Sequence, residues 1–158
     1  ARTMANTRSR MRMIALYAFS THNRMLVAGT GNKVEDFGLG FYTKYGDGGV
    51  VLNPIADLMK SEVYALAHEL KISPSILAAA PVDGLWEDNR TDEQQIGATY
   101  NEMEWAMEQL SKKAKGKRQK LTAGQKKVLE IFKRFNKRNQ HKMKPIPVCV
   151  IPEKLKKG

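Results

Sequence analysis

The glycine-rich segment at residues 29–49 constrains the fold more than any other part of this sequence. The apolar run Met25-Leu26-Val27-Ala28 precedes it and is typical of a short buried strand. Gly29 and Gly31 then allow the backbone to turn tightly or to approach a ligand closely. Open α/β sheets bind ligands in loops at the carboxyl ends of parallel strands. The order of these features therefore predicts an α/β fold with a ligand-binding loop at this point.

The charged residues of this loop indicate the kind of ligand it would bind, but only in general terms. Glu35 and Asp36 follow the first glycines, and Lys44 and Asp47 lie in a second glycine-rich turn. Such mixed charges suit an anionic ligand accompanied by a metal cation. The dinucleotide fingerprint is excluded because Val34 occupies the place of its third glycine. Glycine spacing leaves one alternative open, an ordinary strand-to-helix connection followed by a polar turn.

Length and composition indicate one globular domain. A chain of 158 residues, 42% of them apolar, is long enough to bury a core. No apolar run approaches the roughly 18 residues that span a bilayer, and no secretory signal is visible. Cys149 is the only cysteine, which excludes an internal disulfide and makes the cytoplasm the expected location. Its apolar neighbours predict a buried structural thiol.

Basic residues are concentrated at the C-terminal end. Residues 112–158 contain 17 of the 27 Lys and Arg residues and only two acids, and we interpret them as a basic extension of a single domain over residues 1–158. Basic segments often meet polyanions, so a nucleic-acid-binding module is one alternative function. Phe132 and Phe135 are the only aromatic residues there, and both fall on a predicted buried stripe, so base stacking is poorly supported. Residues 112–120 are predicted to form a solvated connector.

Hydrophobic periodicity and capping patterns predict several helices. A helix over residues 5–20 has one apolar stripe. A second short apolar run occupies residues 50–52, and a later helix, capped by Ser61, should pack on the sheet. Ser73-Pro74 predicts a short helix, and capping boxes predict a turn at 92–97 and helices over about 100–114 and 123–138. The first stripe is Met11, Ile14, Ala15 and Ala18, the last is Val128, Ile131, Phe132 and Phe135, and the capping pairs are Thr91–Gln94, Thr99–Glu102 and Thr122–Gln125.

Two polar segments are open to a structural or a functional interpretation. Lys60 precedes the predicted N-cap Ser61, where the helix dipole disfavours a cation, and it could share a bound anion with the free backbone N–H groups. The acidic loop at residues 81–92 is predicted to be a connector with Trp86 in the core, with a mobile lid as the alternative.

Five stretches occur in order along the chain. They are residues 6–13, residues 29–35, residues 41–49, residues 53–60 and the pair His141-Lys142. The third contains the specific run Thr43-Lys44-Tyr45-Gly46-Asp47-Gly48-Gly49. Together they resemble the ammonia-dependent NAD synthetases. The resemblance covers residues 4–105 well, and the basic C-terminal part only at the His-Lys pair.

The resemblance implies a Rossmann-like α/β fold of the adenine nucleotide alpha hydrolase type, present in part and followed by a helical basic C-terminal part. It also implies a two-step synthesis, in which ATP adenylates the nicotinate carboxylate of deamido-NAD and ammonia then displaces AMP. No covalent enzyme nucleophile is required, so no catalytic residue is assigned. Carried over by position, deamido-NAD would contact Arg10, Lys44, His141 and Lys142, ATP would contact Thr30 and Lys60, and Glu35 would hold Mg²⁺.

Three departures from the family pattern affect these expectations. The phosphate-binding loop Ser-Gly-Gly-x-Asp-Ser is absent from the 158 residues, so the chain alone is expected to be inactive. Val51 stands where the family usually has an aspartate that contacts deamido-NAD, and Val82 where it usually has a threonine near ATP. The resemblance further implies a homodimer, with the helix that carries Arg10 at its interface. A dimerisation fragment without catalytic function is the remaining alternative.

Overall fold

The computed structural model describes residues 2–114 and 120–156. Within these ranges the helices are α1 (Arg2–His22), α2 (Lys60–Glu69), α3 (Pro74–Leu77), α4 (Asp92–Ile96), α5 (Tyr100–Ala114) and α6 (Ala123–Met143). A π-helical segment, π1, spans Lys33–Leu39, and a 3-10 turn spans Glu153–Leu155. Part of the predicted connector, residues 115–119, lies outside the described residues. None of the described helices is long and apolar enough to cross a bilayer.

The core lies where π1, α5 and α6 meet. Its buried side chains come from these three elements and from the end of α4, and π1 approaches α6 closely at Gly38. A Cβ atom added to Gly38 would lie 3.1 Å from the Phe132 ring. The glycine-rich segment is thus anchored on the last helix, more than 90 residues later in the chain. The core consists of Val34, Leu39, Ile96, Tyr100, Met103, Ala106, Val128, Leu129, Phe132 and Phe135.

The predicted strand at residues 25–28 does not form among the described residues, where an isolated parallel bridge joins Ala28 to Leu52 of the second apolar run. Two hydrogen bonds flank it, from Gly29 N–H to the Leu52 carbonyl at 2.8 Å and from Val51 N–H to the Val27 carbonyl at 3.0 Å. Most side chains of the two runs are exposed to solvent. A strand that is apolar on both faces needs covering layers and paired neighbours, and the described chain supplies neither. The α/β expectation is therefore met only by this one bridge.

The predicted stripe of α1 does not face the core. The helix forms and is slightly longer than expected, but Met11 and Ile14 are 59% and 54% exposed. The residues that α1 buries are Ala5, Ser9 and Ser20. Periodicity therefore identified the helix correctly, and the apolar stripe that it identified is exposed to solvent.

Helix α2 also differs from its prediction. It begins at Lys60, one residue before the expected cap, and the backbone N–H of Met59 donates to the Glu62 carboxylate at 2.7 Å. No residue of α2 is buried, so this helix does not pack on a sheet. The Ser61 N–H donates to the Glu104 carboxylate at 2.9 Å. This N–H is therefore not free to bind an anion beside Lys60.

The capping boxes predicted the later helices well. Thr91 and Thr122 cap α4 and α6 through reciprocal bonds with Gln94 and Gln125. Thr99 and Glu102 exchange the same bonds at the start of α5. Helix α6 buries its predicted stripe, with Ile131 partly buried, and continues to Met143 instead of ending near residue 138. The short helix α3 begins at Pro74, as expected.

Two single-residue predictions need correction. Cys149 is exposed and not buried, because the proline-rich tail after α6 runs along the surface without regular structure up to the 3-10 turn. Trp86 is half-buried and is not a member of the core cluster. Its ring lies 4.6 Å from the Arg90 guanidinium, and its Nε1 is buried without a hydrogen-bond partner among the described residues.

Candidate functional site

Glu35 is positioned by a side-chain cap at the start of π1. The side-chain oxygen of Asn32 accepts hydrogen bonds from the N–H groups of Val34 and Glu35, both at 3.1 Å. Asn32 is 1% exposed, so this backbone entry is fixed in the interior. The Glu35 carboxylate accepts further bonds from Lys60 Nζ at 3.2 Å and from the Tyr100 hydroxyl. The residues assigned by resemblance to Mg²⁺ and ATP, Glu35 and Lys60, therefore form an ion pair.

Tyr100 and Asp92 extend this pair into the core. The Tyr100 hydroxyl lies 3.1 Å from Asp92 Oδ2, and Lys60 Nζ lies 4.9 Å from the centroid of the Tyr100 ring. Burial raises the pKa of Tyr100 and also that of Asp92. The other oxygen of Asp92, Oδ1, is buried without a partner among the described residues. The result is a part-buried cluster of one lysine, two carboxyl groups and one phenol, which we call the Glu35 cluster (Glu35, Lys60, Asp92, Tyr100).

Asp36 lies beside this cluster, and its position explains why residue 31 is a glycine. Burial, assisted by the neighbouring charge of Glu35, raises the pKa of Asp36 to about 6. Its carboxylate accepts a 2.9 Å hydrogen bond from Asn53 Nδ2. A Cβ atom on Gly31 would lie only 2.0 Å from Asp36 Oδ2. Gly31 is therefore needed because a carboxylate packs against its backbone.

Thr30, the other residue assigned to ATP by resemblance, is not part of the Glu35 cluster. Its side chain is exposed and makes no hydrogen bond to the residues that the structure describes. Val51 and Val82, which replace polar residues of the family pattern, are also exposed. Neither valine offers a polar atom to a ligand.

Glu35 fits a magnesium ion as one ligand among several. No group of three or more His, Cys, Asp or Glu side chains in residues 2–114 and 120–156 could hold a metal ion. Mg²⁺ commonly takes one or two protein carboxylates and completes its shell with water and substrate phosphates. Both hydrogen bonds to Glu35 are made to Oε1, which leaves Oε2 for a cation. The described residues are therefore compatible with a phosphate-bound Mg²⁺ but not with an all-protein cage.

A cavity of about 550 Å³ lies between α1, the glycine-rich turn, the loop before α4 and the end of α6. All four residues assigned to deamido-NAD by resemblance line it, although they lie up to 132 positions apart in the chain. Among its other lining residues, Asp47 and Asp83 are the acids. Its basic lining residues are Arg2, Arg10, Lys44, Arg134, Arg138, His141 and Lys142. We call it the cationic cavity.

Lys142 is the most constrained cation of this cavity. Its Nζ donates to the Gly40 carbonyl at 2.8 Å and to the Tyr42 carbonyl, and it lies 5.3 Å from the centroid of the Tyr42 ring. Burial lowers the pKa of Lys142 to about 8, with the nearby charge of Asp47 opposing the shift. Burial likewise raises the pKa of Tyr42 to about 12. The ammonium group is thus fixed in place and easier to deprotonate than an exposed lysine.

The glycine-rich turn is tied to α1 and α6 on opposite sides. Asp47 Oδ1 accepts hydrogen bonds from Ser9 Oγ at 2.7 Å and from Thr43 N–H at 2.9 Å. Lys44 Nζ donates to the His141 carbonyl on α6, and Arg10 Nη2 lies 3.5 Å from the Lys44 carbonyl. These contacts hold the turn between the two helices.

Sequence patterns did not indicate three arginines of the cavity, Arg2, Arg134 and Arg138, or half of the Glu35 cluster. Arg134 and Arg138 precede His141 by seven and three residues, a spacing that puts them on one helical face. Ending the helix near residue 138 concealed this relationship. Asp92 was hidden because an acid in the first turn of a helix is ordinary. No local pattern indicated that Tyr100 would reach Glu35.

A family model described as NAD synthase matches residues 2–146. The NH3-dependent NAD+ synthetase of Carboxydothermus hydrogenoformans is 39% identical over 145 residues, which are 91% of this chain and 53% of that protein. The corresponding protein of Syntrophomonas wolfei is 38% identical over 151 residues, which are 96% and 55% of the two chains. The chain therefore spans about half the length of the curated relatives it matches.

Solved structures give the same result. An NMN synthetase from Francisella tularensis superimposes with a TM-score of 0.75 at 34% identity, over 94% of this chain and 56% of that one. An NH3-dependent NAD synthetase from Campylobacter jejuni, solved in complex with the nitrate ion, gives 0.68 at 28% identity, over 92% and 54%. Sequence and fold agree over nearly the whole chain, which therefore belongs to the NAD synthase family.

Proposed function

We propose that this protein takes part in the ATP-dependent amidation of deamido-NAD by ammonia through an acyl-adenylate. One observation carries the proposal: Arg10, Lys44, His141 and Lys142, chosen for deamido-NAD from sequence alone, surround a single cavity. These four side chains come from three separate regions of the chain, and their convergence on one cavity is what a common ligand requires.

The charge of the cavity matches that ligand. Its two acids are already engaged, Asp47 by Ser9 and Thr43 and Asp83 by Gln95 Nε2 at 3.0 Å. Lys and Arg side chains outnumber these acids six to two in the lining of the cavity. Guanidinium and ammonium groups bind phosphate and carboxylate strongly. Deamido-NAD carries both groups, as a diphosphate and a nicotinate carboxylate.

The ATP-binding part of the reaction is assigned to the Glu35 cluster. A bound Mg²⁺ supplies positive charge to the phosphates as pyrophosphate leaves. Glu35 would hold that ion through Oε2, and Lys60 would place its ammonium group against the phosphates. Both act by offsetting charge that accumulates during the transfer. The nicotinate carboxylate attacks the α-phosphate, pyrophosphate leaves, ammonia then attacks the acyl carbon, and AMP leaves.

A homodimer accompanies this proposal. Helix α1 exposes Met4, Met11, Ile14, Leu16 and Phe19 to solvent, and the spacing of Met4, Met11 and Ile14 puts these three on one face. A row of large apolar side chains on one helix is typical of an interface. Because Arg2 and Arg10 lie on the same helix and line the cationic cavity, a second copy packed on α1 would also border the ligand site.

A smaller substrate is the second candidate. The Francisella tularensis neighbour is called an NMN synthetase, and the cavity cations would equally suit the phosphate and carboxylate of nicotinate mononucleotide. The two substrates differ by an adenylate group, so their relative affinities for the chain distinguish the candidates.

The direct test restores the phosphate-binding loop. An upstream segment that carries Ser-Gly-Gly-x-Asp-Ser, fused before residue 1, should give NAD formation that requires both ATP and ammonia, while the 158-residue chain alone gives none. Lys44→Ala in the fusion should reduce kcat/KM for deamido-NAD, with Lys133→Ala on the surface of α6 as the matched control. A fusion that makes no NAD at saturating substrates contradicts the proposal. Preference for nicotinate mononucleotide would favour the second candidate.

A further inference from the structure

Two side chains of α5 contact the residues on either side of the proposed ATP site. The hydroxyl of Tyr100, in the first turn, donates a hydrogen bond to the Glu35 carboxylate. Glu104, one helical turn later, accepts hydrogen bonds from both the N–H and the hydroxyl of Ser61, at 2.9 Å and 2.6 Å. Ser61 follows Lys60 directly. Residues four apart on a helix share a face, so one face of α5 contacts both partners of the Glu35–Lys60 pair.

We propose that Tyr100 and Glu104 are positioning residues that together fix the distance between Glu35 and Lys60. Tyr100 orients the carboxylate, and Glu104 anchors the start of α2, from which the lysine projects. The inference rests on the proposed function, because the separation matters only if both groups meet the same Mg²⁺-bound nucleotide.

Helix α5 is packed more deeply in the protein than α2, the helix that carries Lys60. Helix α5 is set in the core by Met103 and Ala106, both fully buried. The Tyr100 backbone N–H also donates to Glu93 at 2.8 Å, which ties the beginning of α5 to α4. By contrast, α2 has no buried residue, so its own packing holds Lys60 weakly. The position of the lysine proposed to bind ATP therefore depends on the contact between α2 and α5.

The two positions should have separable effects. Metal ligands usually lose affinity when a group that orients them is removed, so Tyr100→Phe should weaken Mg²⁺-dependent binding and spare binding without metal. Phenylalanine keeps the ring in the core and removes only the hydroxyl. Glu104→Ala releases α2 and moves Lys60, which should weaken binding of the phosphates with or without metal.

The experiment compares nucleotide binding by the fusion that carries the upstream phosphate-binding loop, in Mg²⁺ and in EDTA, by calorimetry and by the shift in melting temperature. Tyr100→Phe should raise the Kd for ATP in Mg²⁺ about tenfold and leave the Kd in EDTA unchanged. Glu104→Ala should raise both values by a similar factor. Tyr64→Phe on α2 and Glu108→Ala on α5 are the matched controls, because the Tyr64 hydroxyl has no hydrogen bond to a described residue and Glu108 pairs only with Lys112 there.

The outcomes separate this inference from the function on which it rests. One outcome is that Tyr100→Phe binds ATP in Mg²⁺ as the wild type does, with the same ratio of the Kd values in Mg²⁺ and in EDTA. This result overturns the positioning role and leaves the proposed function intact. A lower melting temperature without ligand, with both Kd values unchanged, has the same meaning, since it shows a purely structural contribution. Failure of the wild-type fusion to bind ATP under either condition overturns both.

Discussion

Ser9 on α1 and Asp47 in the glycine-rich turn are joined by reciprocal hydrogen bonds. The Ser9 hydroxyl donates to Asp47 Oδ1 at 2.7 Å and accepts from the Asp47 N–H at 3.0 Å. Ser9 is buried, and a Cβ atom added to Gly46 would lie 2.2 Å from its oxygen. The turn that carries Lys44 is thus placed by a polar contact and not by apolar packing. This contact determines how the cationic cavity is assembled.

We expect Asp47→Ala to destabilise the chain by about 1–2 kcal/mol, because it removes the acceptor of two hydrogen bonds and leaves the Ser9 hydroxyl without the oxygen to which it donates. Urea unfolding followed by circular dichroism measures the change. Glu130→Ala, at an exposed position of α6, is the control and should have little effect. Equal stability of the two variants would show that the Ser9–Asp47 contact does not hold the turn.

A second prediction concerns Gly31, whose missing side chain makes room for Asp36. In Gly31→Ala the new methyl group would meet a buried carboxylate, and overpacking of this kind costs about 1–3 kcal/mol. Gly124→Ala, in the first turn of α6, is the matched control because its nearest atom would be 4.0 Å away, and alanine favours a helix over glycine. Thermal unfolding of both variants should show opposite shifts. A neutral Gly31→Ala would mean that the Asp36 carboxylate moves freely.

The sequence predicted features that depend on neighbouring residues better than contacts between distant segments. Local patterns identified the helices, their caps and the importance of residues 29–49, because each signal depends on neighbours within a few residues. The resemblance assigned Glu35 and Lys60, and the structure pairs them. Tyr100, which is 65 residues from Glu35, had no local signal, since contacts between distant segments depend on the whole fold. Periodicity also indicated an apolar stripe on α1, but periodicity does not show what covers such a stripe, and in the structure Met11 and Ile14 are exposed.

The exposed face of α1 leads to a third prediction, on assembly. Ile14→Asp should shift the chain from dimer to monomer in sedimentation velocity, because a charge in an apolar interface is costly to desolvate. It should change the stability of the monomer little, since Ile14 is exposed within one copy. Ile76→Asp, at an equally exposed position outside α1, is the control and should leave the assembly unchanged. A wild-type chain that is monomeric at high concentration would contradict the homodimer.

The final prediction follows from the burial of Lys142. Its pKa falls from the ordinary 10.5 to about 8 in the folded chain, so between these values the unfolded state binds more protons than the folded state. Stability rises with pH wherever that holds. The cost of burying the charged ammonium is therefore present in full below about pH 8 and is relieved as the pH rises towards about 10.5.

Urea unfolding of the wild-type chain and of Lys142→Met at pH 7, 9 and 10 should reveal this dependence. The wild-type chain should gain about 1–2 kcal/mol relative to the variant across that range, a value reduced from 1.36 kcal/mol per pKa unit because the side chain is partly exposed to solvent. Other titrating groups are common to both proteins, so the difference isolates this lysine. Lys137→Met, at an exposed position on the same helix, controls for loss of a charge from α6. The contrary result is a difference in unfolding free energy between the wild-type chain and Lys142→Met that stays constant from pH 7 to pH 10. It would show that the Lys142 ammonium is as well solvated in the folded chain as in the unfolded one. The bonds to Gly40 and Tyr42 would then not enclose it.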